Sequence, residues 1–125
     1  MKKKPNKLNF VVNTGVYPVD IMVSLGETDI EFERKLRRFT YIKDHQVKMK
    51  GSGRCVFLDN GACYIRLWNY PERSSDFGSL SHEILHAVFA VLGYVGVKFE
   101  DNISEEAFTY LIGYLTNQIY KKLGF

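Results

Sequence analysis

The 125-residue chain has few of the residues that mark specialised protein classes. With 3 prolines it cannot be a proline-rich spacer or a collagen-like rod. With 2 cysteines it cannot be a disulfide scaffold. No apolar run approaches the roughly 20 residues that span a bilayer. The longest, Ile84 to Val97, is interrupted by His86 and Gly93. The opening Met1-Lys2-Lys3-Lys4-Pro5 has the charge of an export signal. The apolar stretch behind it, Phe10-Val11-Val12, is too short for one, so a soluble cytoplasmic protein is expected. Histidine is scarce too, at 3 residues, which gives weight to where those histidines fall.

What is present is an ordinary core-forming composition, 46% hydrophobic and 25% charged. A chain of this length fits one domain and buries roughly two-thirds of its unfolded surface without covalent staples. The formal net charge is +3, and Lys2, Lys3, Lys4 and Lys7 supply more than that total. The body of the chain is therefore slightly acidic and lacks the basic face of a nucleic-acid binder. Residues 1–7 read as a disordered basic tail and residues 8–125 as a single α+β domain.

Leu8–Val12 and Val19–Val23 have the β-branched content of short strands. Thr28-x-x-Glu31 has the spacing of a capping box. Acidic residues crowd the turns after it and basic residues the turns beyond those, which suits a helix dipole. Phe32, Leu36 and Phe39 recur at helical spacing and form its buried stripe. Residues 41–53 are polar and show no period. Asn60-Gly61 between apolar runs predicts a hairpin at roughly 54–58 and 62–68. A two-residue turn there pairs Leu58 with Cys63 and Val56 with Ile65. In that register Val56, Leu58, Cys63, Ile65 and Leu67 face the core, and Cys55, Phe57, Tyr64, Arg66 and Trp68 face a cleft or solvent. Cys55 and Cys63 then point to opposite sides as free thiols. Residues 69–78 read as a loop, and two helices close the chain at about 79–92 and 104–123.

The first of these helices carries the chemistry. Leu80 to Leu92 reads LSHEILHAVFAVL, and apart from Ser81 its polar side chains are His82, Glu83 and His86. The rest is apolar all round, as in a helix buried within a core, where three ionisable groups need partners. His82 and His86 stand one helical turn apart on one face, so both imidazoles can reach one cation. His-Glu-x-x-His is the signature of zinc-dependent hydrolases, with the Glu as general base. A catalytic zinc needs a third protein ligand. The metzincin pattern would place Gly at 89 and His at 92, where this chain has Phe89 and Leu92. His45, in the polar stretch Lys43–Val47, reads as an exposed residue. A carboxylate from the final helix remains, and Glu105 or Glu106 stands at its start.

On these residues the chain resembles gluzincin-type zincin metallopeptidases, whose third ligand is a Glu on the helix after the HExxH helix. The run HEILHAVF, then GYVG, then EEAFTYLIGYL also resembles small zincin-like proteins of bacteriophages and prophages. In gluzincins a small residue often stands three positions after the ligand Glu. Glu106-Ala107-Phe108-Thr109 meets that pattern, whereas Glu105 has the bulky Phe108 there and would crowd a helix crossing. Glu105 does have the 18-residue gap from His86 found in one gluzincin aminopeptidase family. The resemblance thus implies zinc on His82, His86 and Glu106, with Glu105 as the alternative ligand. It implies Glu83 as general base in a peptidase acting on a peptide or protein. It also implies a zincin-like sheet with the metal helix beside its edge. An oxyanion donor is expected, first Tyr110, with Tyr94, Tyr114 and Arg66 as alternatives. The chain has no second domain to wall a cleft, so a catalytically silent zincin-fold binding module is the alternative function.

Overall fold

The two β-rich stretches at the start of the chain pair with each other. In the computed structural model, which describes residues 7–38, 40–43 and 47–125, β1 (Leu8–Asn13) runs antiparallel to β2 (Asp20–Leu25). The tail up to Asn6, Phe39 of the expected helix stripe and His45 lie outside the described residues. Lys7 pairs with Glu31 at 2.6 Å.

α1 (Asp29–Arg37) starts at Thr28 with the expected reciprocal cap. Thr28 Oγ1 accepts from the Glu31 backbone N–H at 3.1 Å, and Glu31 accepts from the Thr28 N–H at 3.4 Å. β3 (Gly53–Phe57) and β4 (Cys63–Leu67) form the hairpin. β4 also pairs in parallel with β2, giving the order β1-β2-β4-β3. α2 (Ser74–Tyr94) and α3 (Glu105–Lys122) complete an α+β fold. No described helix is long and apolar enough to cross a membrane.

The hairpin register is one residue off the expected one. Val56 pairs with Tyr64 and Cys55 with Ile65. The cause is turn chemistry. Leu58 N–H donates to Ala62 O and Gly61 N–H to Leu58 O, both at 2.9 Å, so the loop holds three residues, 59–61. Gly61 takes φ 88°, a left-handed conformation that costs glycine little. A single-residue slip exchanges the faces of one strand relative to the other. Cys55 and Cys63 therefore share a face as free thiols. The Cys55 hydrogen bond and burial push the Cys63 thiol well above its ordinary range.

Both faces of the sheet are covered. Ile21, Val23, Leu25, Cys63, Ile65 and Leu67 pack beneath α2 and α3. On the other face Val56, Leu58 and Tyr64 pack against Phe32 and Leu36 of α1 and against Ile42 and Val47. The expected open face of Phe57, Tyr64, Arg66 and Trp68 therefore does not exist as one surface. Tyr64 lies edge-on to Phe32 and Phe57 against Tyr94, with ring centroids 5.5 Å apart in each pair. Residues 74–78, read as loop, form the first turns of α2. The Asp76 carboxylate accepts from the Glu72 and Arg73 backbone N–H groups at 3.1 and 3.0 Å and caps that end.

Candidate metal centre

α2 lies across the sheet with Leu80, Ile84, Ala87, Val88 and Val91 turned inward. Those positions keep the 3.6-residue period, and Glu83 falls on the same stripe, three residues after Leu80 and four before Ala87. Glu83 is accordingly 4% exposed. His82 and His86 lie one position round the helix and face outward, the His82 side chain being 70% exposed. This corrects the expectation that all three groups are buried. The helix is apolar all round because Leu85 and Phe89 are exposed apolar side chains, and Phe89 is flanked by Phe108 and Phe99 at 4.9 and 6.1 Å.

The two rings converge. His82 Nε2 and His86 Nε2 are 3.2 Å apart, with ring centroids at 4.8 Å. Glu83 Oε1 lies 4.0 Å from His82 Nε2. One ligand atom from each of His82, Glu83 and His86 falls within 4.8 Å of the others. Glu83 Oε2 is buried with no hydrogen-bond partner among the described residues. Native proteins rarely leave such an atom unpaired, because its desolvation costs about 1–3 kcal/mol. Burial raises the Glu83 pKa above the ordinary carboxyl value, against the opposing charges of His82, His86 and Arg54. Two converging imidazoles beside an unpartnered buried carboxylate oxygen fit a bound cation that is soft enough for nitrogen ligands.

The wall facing Glu83 is backbone. A Cβ on Gly53 would lie 3.1 Å from Glu83 Cγ, 3.1 Å from Arg66 O and 2.7 Å from Leu67 Cδ2. Only glycine lets the start of β3 come this close. A cleft of about 480 Å³ opens here between residues 50–53 and α2, and Glu83 and His82 form part of its lining. Ser52 Oγ and Ser79 Oγ meet across it at 2.8 Å. Sequence reasoning missed this wall. The signal was Gly51-Ser52-Gly53, two glycines ahead of a strand, where a close backbone approach is a standing possibility.

The other expected site residues fall in several places. Glu105 and Glu106 are exposed in the first turn of α3, outside the three-residue cluster. Phe108, 5% exposed, packs on Phe89 one turn beyond His86, which brings this end of α3 alongside the histidine face. The helix contact is made by a bulky aromatic residue, so clearance does not separate Glu105 from Glu106. Tyr110 is 74% exposed on α3. The Tyr114 hydroxyl donates to Asn13 Oδ1. Tyr94 sits at the far end of α2, about 12 Å beyond His86 by helical rise. Arg66 lies on the opposite face of the sheet, fully buried, and bonds Asp29 Oδ1 at 2.7 Å, Val47 O at 2.9 Å and Glu27 O at 3.0 Å. It cannot serve the site. Compared with known proteins, the chain matches no protein-family model, no curated protein and no solved structure.

Proposed function

We propose that this protein is a zinc-dependent metallopeptidase of zincin type, with His82, His86 and Glu106 as ligands. The reading is carried by two Nε2 atoms converging at 3.2 Å beside the unpartnered Glu83 Oε2. Zinc held by these residues supplies Lewis acidity and a water that ionises near pH ~7. Glu83 is the general base. Its Oε2 has no competing donor among the described residues, and its raised pKa suits a group that must take a proton from water and return it to a leaving amine. Gly53 keeps the Glu83 stem fixed against β3. β3 is an edge strand of the sheet, and among the described residues no other strand pairs with its outer side, which suits the addition of an extended peptide. Tyr110 is the first residue to test as oxyanion donor. The free thiols suit a reducing cytoplasm, and the sequence pattern suits a phage or prophage origin.

The test is Glu83→Gln with zinc content and peptide hydrolysis both measured. Zinc retained with turnover reduced about a hundred- to ten-thousandfold is the expected result. Unchanged turnover would reject the role of Glu83.

One observation favours a second reading, a catalytically silent binding module that uses the metal structurally. The His82 side chain is 70% exposed on an open shoulder of α2 rather than enclosed. In that case chelation lowers the melting temperature while no peptide in a library is cut.

A further inference from the structure

The cleft beside Glu83 has a chemistry of its own. Among the described residues its lining apart from His82 and Glu83 is Lys50, Gly51, Ser52, Gly53, Ser75, Gly78 and Ser79, none of them an aliphatic or aromatic residue. A greasy side chain entering it would meet carbon only in backbone, short side chains and the lysine stem, and would strip water from hydroxyls and backbone groups. Lys50 is exposed and forms no ion pair among the described residues. Among the described residues Glu83 is the one acidic group of the lining, and it is sequestered at the base with its stem against Gly53. Ser79 can donate to Ser75 O, 3.2 Å away, or to Ser52 across the 2.8 Å contact. When Ser79 donates to Ser52, the Ser52 proton is free for an acceptor standing in the cleft. Three glycines keep the space open, and about 480 Å³ accommodates a side chain of any size.

We infer that this cleft is a subsite for a carboxylate-bearing residue of the substrate, held by Lys50 and the Ser52 hydroxyl. The inference rests on the peptidase reading for its substrate, a peptide, and names the class of peptide. The carboxylate is either an Asp or Glu side chain or the peptide's own C-terminus. Hydroxyl and ammonium donors recognise both alike.

The experiment uses the full chain with added zinc and a peptide panel with Asp, Glu, Leu or Lys at each position, each C-terminally free or amidated. Cleavage should favour acidic peptides, by about fivefold for a contact to one exposed lysine. Preference that survives amidation assigns the carboxylate to a side chain, and preference lost on amidation assigns it to the C-terminus. Lys50→Glu, a change at an exposed position, should turn the preference toward Lys-containing peptides. Equal cleavage of all charge classes, or a preference unaltered by Lys50→Glu, would overturn the inference while leaving the peptidase reading in place. If nothing is cut, binding of the same peptides to zinc-treated Glu83→Gln protein decides. Salt-sensitive binding of acidic peptides, weakened by Lys50→Glu, upholds the subsite although hydrolysis has failed, and absence of such binding overturns it.

Discussion

Two buried charged residues sit on opposite faces of the same sheet, and their surroundings differ. Arg66, on the α1 face, gives its guanidinium to Asp29, Val47 O and Glu27 O and stacks over the Phe32 ring at 4.4 Å. Asp29 in turn accepts from the Met49 N–H at 3.0 Å, so the pair ties residues 47–49 to α1. Glu83, on the α2 face, has an oxygen without a partner and a cleft in front of it. The first arrangement uses both terminal nitrogens of a buried guanidinium on three acceptors, with its Nε alone lacking a partner among the described residues, and holds the fold together. The second has no hydrogen bond to its buried Oε2 among the described residues, at a cost in stability, beside two converging imidazoles. That difference supports the proposed role of Glu83 as a group kept for chemistry.

Removing Arg66 should have the largest effect. Arg66→Met leaves Asp29 without its charge partner and takes a donor from two carbonyls, and should cost about 3 kcal/mol, read as a lower denaturant midpoint. A loss under about 1 kcal/mol would erase the contrast. Gly53→Ala comes next. Its Cβ meets Leu67, Glu83 and the Arg66 carbonyl, the last of which is backbone and cannot rotate away. It should cost about 1–3 kcal/mol and lower peptide turnover together, since Glu83 must shift. Normal turnover in Gly53→Ala would show that β3 does not position the base.

The smallest effect is one of pH, and its sign differs between the two faces. Burial pushes Asp29 up, but the hydrogen bonds from Arg66 and Met49 and the Arg66 charge prevail, so its pKa lies below 3.8. Its contribution to stability is present above the unfolded value and is lost as pH falls through the folded one. Glu83 is raised above 4.5, so in metal-free protein its contribution is present at low pH and lost as pH rises through its folded pKa. Asp29→Asn should flatten the acid limb of a stability profile, and Glu83→Gln should flatten a decline on the side above pH 4.5. Equal slopes in wild type and both variants would contradict the assignment.

Much of this was legible in the sequence where one local rule governed. The Thr28 cap, the strands at either side of Gly15 and the helix from Glu105 all arise from patterns of a few residues. So did the convergence of His82 and His86. The hairpin register was not legible, because Asp59-Asn60-Gly61 admits loops of two or three residues and one residue decides every face. The start of α2 was hidden because Arg73-Ser-Ser-Asp76 has loop composition, and its cap works through Asp76 reaching back to backbone N–H groups. Ile42, Val47 and Met49 are buried without any period, since they lie outside helix and strand, with Val47 and Met49 held by Arg66 and Asp29. The exposure of the histidines could have been read from the heptad-like spacing of Leu80, Glu83, Ile84 and Ala87, which puts the acid, not the imidazoles, on the inner stripe.

The central claim is that His82 and His86 share a metal ion. Anomalous diffraction at the zinc edge, from crystals of the full chain grown with zinc, tests it most directly. A peak about 2.0–2.1 Å from both Nε2 atoms, with the Glu106 carboxylate as third ligand, is the expected result. Two imidazole rings turned apart with no peak between them would contradict it.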